Sequence, residues 1–429
     1  MAAMRQWTSG ARRITVLVLA SVVVLVLAGC TPHVSAGAKL PAQVPGSLSS
    51  GVQRKLETAM KNAMKLSGAS GAMVGVWAPW AGSWQAGIGT TKLKGTIPVT
   101  ADMSFRIADN TTPITCTVLL ALADERKVGL DDQLSDYLPG FVGLTGVTLR
   151  ELCQNTSGFG DYTGPLAPQF VENPTRQWPE LELANDGIAA PAIGKPGEKY
   201  GPAATNLVLL GMALQNATGS SWQDLYNKFV FGRLGMGSSS LPQANQLEVP
   251  GKHPNGYATA LNDAGAPTCG TVVDVTKLSP SMGSTAFGAV SNLFDLKTFA
   301  QSLATGALLS PASAKAQLDG ISAGTDWQKY GLGASILGPM VGSVGALPGY
   351  LSAMFTDPVS GLTVVFALNN STSGKAFAQA LAEQLISIVA KAPAKQPGAK
   401  VISPLPWSED QAVTNLQKST VCPPAVPAK

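Results

Sequence analysis

Histidine is almost missing: the 429-residue chain contains two, His33 and His253. That excludes a multi-histidine metal site and leaves at most one useful imidazole for a Ser-His-Asp relay. Charge is scarce too, since Asp, Glu, Lys and Arg make up 13% of the chain, about half the level of an ordinary globular protein. A disordered chain is rich in charge and poor in apolar residues, so with 45% hydrophobic residues wholesale disorder is excluded and a sizeable core is expected. The length exceeds one average domain but suits a single large α/β or α+β unit with flanking segments. There is no internal repeat.

The little net charge present sits at the start. Arg5, Arg12 and Arg13 precede an uncharged apolar run from Ile14 to Leu27, which leads into Leu27-Ala28-Gly29-Cys30. A basic start, an apolar stretch near the short end of spanning length and small residues before a cysteine read as a lipoprotein signal peptide, cleaved before a lipidated Cys30. An uncleaved membrane anchor is the alternative. Residues 1–29 are thus expected to be a leader, and their loss removes three arginines and no acid, taking the formal net charge from +4 to +1. The basic balance belongs to the leader and implies no nucleic-acid partner. The expected location is the extracytoplasmic face of a bacterial cytoplasmic membrane, held there by Cys30. Cys116, Cys153, Cys269 and Cys422 remain, an even number in a disulfide-permissive compartment, with three pairings open.

Residues 30–50 read as a flexible Pro-, Ala-, Gly- and Ser-rich tether. Val52, Leu56, Met60 and Met64 then recur on one helical face, ended by Gly68 and Gly71. Strands are expected over 72–78 and 83–87, then a long helix from about Pro113 to Arg126. The middle, roughly 130–325, reads as loop-rich with helices near 149–155, 205–217, 222–229 and 293–303. A hairpin over 352–357 and 362–369 and an amphipathic helix over about 375–392 follow. Together these suggest an α+β fold, with one antiparallel sheet built from both chain ends, flanking helices and a helical insertion over 51–392. Residues 393–429 read as a Pro- and Lys-containing tail whose one evident anchor is Cys422.

Several segments carry a resemblance. Phe105-Arg106-Ile107-Ala108, the helix ending Val128-Gly129-Leu130-Asp131-Asp132, and Tyr137-Leu138-Pro139-Gly140 resemble the nucleophile region of class C serine β-lactamases and the related DD-peptidases and esterases. In register with them follow Thr148-Leu149-Arg150-Glu151-Leu152 with Asn155-Thr156-Ser157-Gly158, Pro196-Gly197 through Asn206 to Gly211, and Phe231-Gly232-Arg233-Leu234-Gly235-Met236. Gly345-Ala346-Leu347-Pro348-Gly349-Tyr350 with Asp357-Pro358 is similar to the last motif strand and hairpin. The resemblance spans about residues 50–392 and implies a β-lactamase/transpeptidase-like fold, without metal or cofactor. It also implies a Cys116–Cys153 bridge, because some class A members look similar around Cys116 and Arg150-Glu151-Leu152-Cys153; this leaves Cys269 with Cys422.

The catalytic residues the family uses are replaced here. A serine and a lysine one helical turn apart share a face, so that the amine can take the hydroxyl proton. Their positions hold Asp109 and Thr112, an anion that accepts acyl groups poorly and a hydroxyl with no basic lone pair. Asp109 and Thr112 read instead as capping or loop residues, with Thr112 the N-cap of a helix starting at Pro113. The Tyr-x-Asn position is Pro202-Ala203-Ala204, with Tyr200 two residues earlier, and the Lys-Thr-Gly position is Ser343-Val344-Gly345. In the family that motif supplies a cation and a glycine that lets the substrate lie against the strand; here the glycine remains and the cation is gone. No Ser-x-x-Lys or Tyr-x-Asn occurs anywhere; Thr58-x-x-Lys61, Thr91-x-x-Lys94 and Thr372-x-x-Lys375 are approximations without companion motifs. Gly320-Ile321-Ser322-Ala323-Gly324 has no apolar strand leading into it and no histidine after it, so it reads as a loop. His253 reads as an exposed loop residue.

Coordinated loss of nucleophile, base, tyrosine and cation points to a catalytically silent envelope binding or regulatory module. Its cleft is expected to be lined by Asp109, Asn110, Tyr200, Ser343 and Gly345, and its ligand to be cell-wall peptide or an envelope protein. The alternative is a hydrolase, carboxypeptidase, esterase or β-lactamase-like, of altered chemistry centred on Asp109.

Overall fold

The computed structural model describes residues 39–422. The expected signal peptide and Cys30 lie outside these residues. Ten strands matter to the site: β1 (Gly71–Ala78), β2 (Gly82–Gly89), β3 (Tyr257–Leu261), β4 (Pro267–Asp274), β5 (Ile321–Ser322), β6 (Gln328–Tyr330), β7 (Ser335–Leu337), β8 (Met340–Leu347), β9 (Tyr350–Thr356) and β10 (Thr363–Leu368). Eight form one antiparallel sheet in the order β2-β1-β10-β9-β8-β7-β6-β5. Chain-end strands β1 and β10 pair within it, Val74 opposite Phe366, so the sheet is built from both ends as the strand pattern suggests. β1, β9 and β10 are buried along their whole length, which is why they read as continuous apolar runs and not as alternating strands: both faces of the sheet are covered.

One face is covered by α1 (Ser50–Ser67) and α5 (Gly374–Ala390). Leu56 and Met60 of α1 and Leu381 and Leu385 of α5 pack in one core with Val74, Val76 and Phe366. Gly68 ends α1 in the left-handed region at φ +72°, a conformation that costs glycine nothing. The helical insertion covers the other face. Its central helix, α2 (Thr111–Asp124), is buried from Thr111 to Leu122, with α3 (Ala204–Thr218) and α4 (Leu293–Thr305) in the same core.

The tail is held by more than Cys422. Trp407 donates its indole N–H to the Glu383 carbonyl (3.1 Å) and the Ser387 hydroxyl (3.0 Å) of α5. A further helix, α6 (Glu409–Lys418), is capped by the Ser408 hydroxyl and buries Ala412 and Leu416 against the α1/α5 core. The Cys116–Cys153 disulfide implied by the resemblance is formed, and so is the remaining pair, Cys269–Cys422. Among the described residues no helix is long and apolar enough to cross a membrane.

Candidate functional site

A cleft of about 580 Å³ opens between the β8 end of the sheet and the helical insertion. Its floor is set by one turn of chain. Ala108–Asn110 form a 3-10 segment that winds directly into α2, with Thr111 Oγ1 donating to the Ala108 carbonyl (2.8 Å). The expected N-cap at Thr112 is therefore displaced: α2 begins at Thr111, and the Thr112 hydroxyl, inside the first turn, donates to the Ala286 carbonyl (3.0 Å). Pro113 still falls where a helix does not need its N–H. Ala108 sits at φ +52°, a conformation that costs a non-glycine residue about 1 kcal/mol or more. The chain keeps this strained backbone immediately before Asp109.

Asp109 does not cap the helix. Its carboxylate turns into the cleft, where Oδ2 accepts the Ala346 N–H of β8 (3.0 Å) and Oδ1 accepts the Lys375 ammonium (2.6 Å). Lys375 lies in the first turn of α5, which contains no acidic residue, and the helix macrodipole opposes a cation there. Asp109 supplies the missing negative charge from another element. Burial alone depresses the Lys375 pKa, but the adjacent Asp109, with Asp161 further away, outweighs it and holds the ammonium above the ordinary lysine range. The Lys375 side chain is nevertheless 52% exposed, against 19% for Asp109, so solvent screens part of this attraction.

Around the pair, the cleft is lined by Thr112, Tyr200, Pro202, Ala204 and Ser343. Pro202 and Ala204 present no side-chain polar group. The Tyr200 ring packs on Tyr330, with centroids 5.0 Å apart. Burial pushes the Tyr200 phenol up despite the nearby Lys375, and pushes Tyr330 well above its usual value, with Tyr200 and Asp109 adding to it. Both phenols stay protonated at neutral pH, so neither is a ready base. The Ser343 hydroxyl reaches only the Asp109 carbonyl at 3.4 Å and its neighbour Val344 at 3.5 Å.

Two expected lining residues lie elsewhere. Asn110 is fully buried, and its amide donates to the Ile107 carbonyl (3.0 Å) and the Ser352 hydroxyl (2.8 Å), away from the cleft. Gly345 faces the 107–109 turn: a Cβ there would lie 2.6 Å from Asp109 N, 2.7 Å from Ala108 Cβ and 2.9 Å from Ile107 O. The close approach of β8 to that turn is by itself enough to require a glycine here. Asn206 is buried, accepting the Ser157 hydroxyl (2.5 Å) and donating to Asn155 (2.9 Å); it braces the loop ahead of α3. His253 sits in a loop with Nδ1 on the Gly251 carbonyl (2.9 Å), and Ser322 belongs to the short edge strand β5 and not to a strand-to-helix elbow.

The sequence reading missed Asp161 and Tyr330 and set Lys375 aside. Asp161 lines the cleft and accepts the Thr163 N–H and hydroxyl and the Ala204 N–H. Lys375, noted only within the Thr372-x-x-Lys375 approximation, serves residue 109 and not Thr372, whose hydroxyl donates to Asn370 (2.6 Å).

The beta-lactamase family model matches residues 56–387, and the chain belongs to that family. Penicillin-binding protein 4* of Bacillus subtilis is 28% identical over 141 residues, 32% of this chain and 31% of its own. A D-aminopeptidase of Cereibacter sphaeroides is 33% identical over 129 residues, 30% of this chain and 24% of its own. The chain thus spans about a third or less of the length of these relatives. The crystal structure of a D-stereospecific amidohydrolase from Streptomyces sp. superposes with a TM-score of 0.65 at 24% identity, covering 76% of this chain and 95% of that one. The fold is the β-lactamase/penicillin-binding fold, carried by a β-lactamase-like serine hydrolase family.

Proposed function

We propose that this protein is a non-acylating member of its family, anchored through lipidated Cys30 on the outer face of a bacterial cytoplasmic membrane, with its cleft used for binding or regulation. One observation carries the reading: both carboxylate oxygens of Asp109 are engaged, one by the Ala346 N–H and the other by Lys375. Acyl transfer in such a cleft needs a nucleophile with a free lone pair, a base, and a backbone N–H free to polarise the attacked carbonyl. Here the anion at the nucleophile position is tied down, the lysine is held protonated, and the Asp109 side chain occupies the N–H. The same engagement weighs against the alternative of Asp109 as nucleophile or base, since an ion-paired, doubly hydrogen-bonded carboxylate is a weak one. Kinship to proteins named for penicillin binding and for D-aminopeptide cleavage favours cell-wall peptide as the ligand, with an envelope protein as the other candidate. The full chain, purified in detergent, is expected to turn over neither a chromogenic cephalosporin nor p-nitrophenyl esters. Turnover that disappears in Asp109→Ala contradicts the reading and establishes the altered hydrolase.

A further inference from the structure

We infer that the end of the sheet from which the chain leaves towards Cys30 is a docking face for an anionic lipid bilayer, and that docking there turns the cleft away from the membrane. The inference goes beyond the binding reading and rests only on its anchoring part.

Three turns and the tail build this face. Residues 40–47 run beside the β1–β2 turn, where the Val44 N–H donates to the Pro79 carbonyl (3.0 Å) and the Gln43 amide to that of Ala78 (3.0 Å). They also meet the β9–β10 turn: a Cβ on Gly361 would lie 2.8 Å from Pro79 and 3.4 Å from Pro41. Beyond α5 the tail crosses the same end. The Trp80 indole donates to the Ala392 carbonyl (3.0 Å), and Lys395 Nζ donates to the Pro45 and Ser47 carbonyls (3.2 and 3.0 Å). Further along, Pro406 reaches the β7–β8 turn, where a Cβ on Gly338 would lie 2.7 Å from it.

The charge of this face has one sign. Lys39, Lys395, Lys400 and, in the first turns of α1, Arg54 and Lys55 belong to its segments, and neither 39–56 nor 391–408 contains an acidic residue. Among the described residues none of these five cations is ion-paired. The flanking acids, Glu57 and Glu409, are paired with Lys61 and Lys391. Asp357, in the β9–β10 turn, is buried and accepts the Val359 and Ser360 N–H groups (3.0 and 3.1 Å). Five cations at one end stand out in a chain whose formal net charge is +1 once residues 1–29 are lost. Val359 on the β9–β10 turn and Val401 beside Lys400 are large exposed apolar residues. Basic residues with apolar side chains between them are what an anionic headgroup layer takes up.

Reach and orientation agree with this. Lys39 follows Cys30 by nine residues, so the chain between them spans at most about 30 Å. Helix α5 starts at the cleft with Lys375 and ends at this face beside Trp80. Its 17 residues cover about 25 Å, and a docked chain holds the Asp109–Lys375 pair that far from the bilayer surface.

The test uses the full chain reconstituted in nanodiscs of phosphatidylglycerol or of phosphatidylcholine, read by hydrogen exchange. On phosphatidylglycerol, exchange over 40–47, 357–362 and 392–406 is expected to be slower than on phosphatidylcholine, and about 0.5 M sodium chloride should remove the difference. Exchange over 257–274, beside the cleft, should be the same on both lipids. Each basic residue near an anionic bilayer is worth about fivefold in partitioning. The Lys39→Glu, Lys55→Glu, Lys400→Glu variant should therefore lower the docked-to-free ratio about a hundredfold or more and lose the protection, with an unchanged melting temperature. Lys39→Gln, Lys400→Gln serves the same purpose if the triple variant does not fold. Equal exchange on both lipids overturns the inference, as does protection that persists in a folded variant. The intact mass of the same sample shows whether Cys30 carries an acyl chain. The exchange comparison holds equally for a chain kept in the bilayer by an uncleaved leader, so failure of docking is distinct from failure of the lipidated anchor.

Discussion

Replacing Gly345 with alanine distinguishes a glycine kept for packing from one kept for a ligand. The added Cβ meets three atoms under 3.0 Å, and none is the flexible end of a side chain. Two are backbone atoms of the 107–109 turn, and the third is Cβ of Ala108, already strained at φ +52°. The turn has little freedom to retreat, because the Ile107 carbonyl accepts Asn110 N–H (3.1 Å), Asn110 Nδ2 (3.0 Å) and the Ser352 hydroxyl (2.8 Å). Overpacking of this kind costs about 1–3 kcal/mol. With an unfolding entropy of roughly 0.8 kcal/mol/K for a chain of this size, that is a fall in Tm of about 1–4 °C. Gly51 is the control: it lies in the first turn of α1, and a Cβ added there meets no atom within 4 Å, so Gly51→Ala should be neutral or stabilising by up to about 1 kcal/mol. Differential scanning calorimetry of both variants is the assay. A Gly345→Ala melting temperature equal to that of wild type refutes the packing argument and returns the glycine to ligand contact.

Further outcomes follow from the same geometry. A double-mutant cycle with Asp109→Asn and Lys375→Met should give a coupling of about 1 kcal/mol, between the surface and buried limits because the lysine is half exposed; a coupling indistinguishable from zero means the pair does not hold the cleft. Since the Lys375 pKa is raised by its partner, that contribution is complete below the ordinary lysine value. It should fade only as pH rises through the higher folded value, and loss already at pH 8 is contrary to it. Burial raises the Glu383 pKa, opposed by the Gln379 side-chain amide, so its favourable contribution is complete below the ordinary glutamate value and lost as pH rises through the folded one. Glu383→Gln should therefore melt higher than wild type at pH 7, with the gap closing in acid; a gap independent of pH contradicts this. Breaking Cys269–Cys422 by Cys→Ser at both positions frees β4, whose hairpin with β3 walls the cleft through Leu261 and Pro267. The expected loss is about 2–4 kcal/mol, with faster hydrogen exchange over 257–274; unchanged exchange there is the contrary result.

The chain-end strands β1, β2, β9 and β10 were legible because they are bounded by Gly and Pro turns, as in Leu362–Asn369 beside Pro358 and Gly361; the edge strands β5, β6 and β7 were not, because each is only two or three residues long, and β5 falls in the 320–324 segment that reads as a loop. α2 was legible as a helix, but its first residue was not: Thr111 and Thr112 both have capping chemistry, and only the preceding 3-10 turn decides between them. The β3–β4 hairpin was hidden because β4 is exposed along almost its whole length and carries no alternation. α6 was hidden by a tail whose apolar anchors, Trp407, Ala412 and Leu416, are widely spaced and follow a Pro-containing stretch. In the site, Asp109, Tyr200 and Ser343 were legible one position at a time, and all three line the cleft. The pairing of Asp109 with Lys375 was not, because the two are 266 residues apart and meet only when the 108–110 turn and α5 are both in place.

The most direct measurement is the intact mass of the full chain, purified in detergent, after prolonged incubation with benzylpenicillin at neutral pH. A non-acylating cleft predicts an unchanged mass. A covalent adduct of the mass of the antibiotic, absent from Asp109→Ala, contradicts the account.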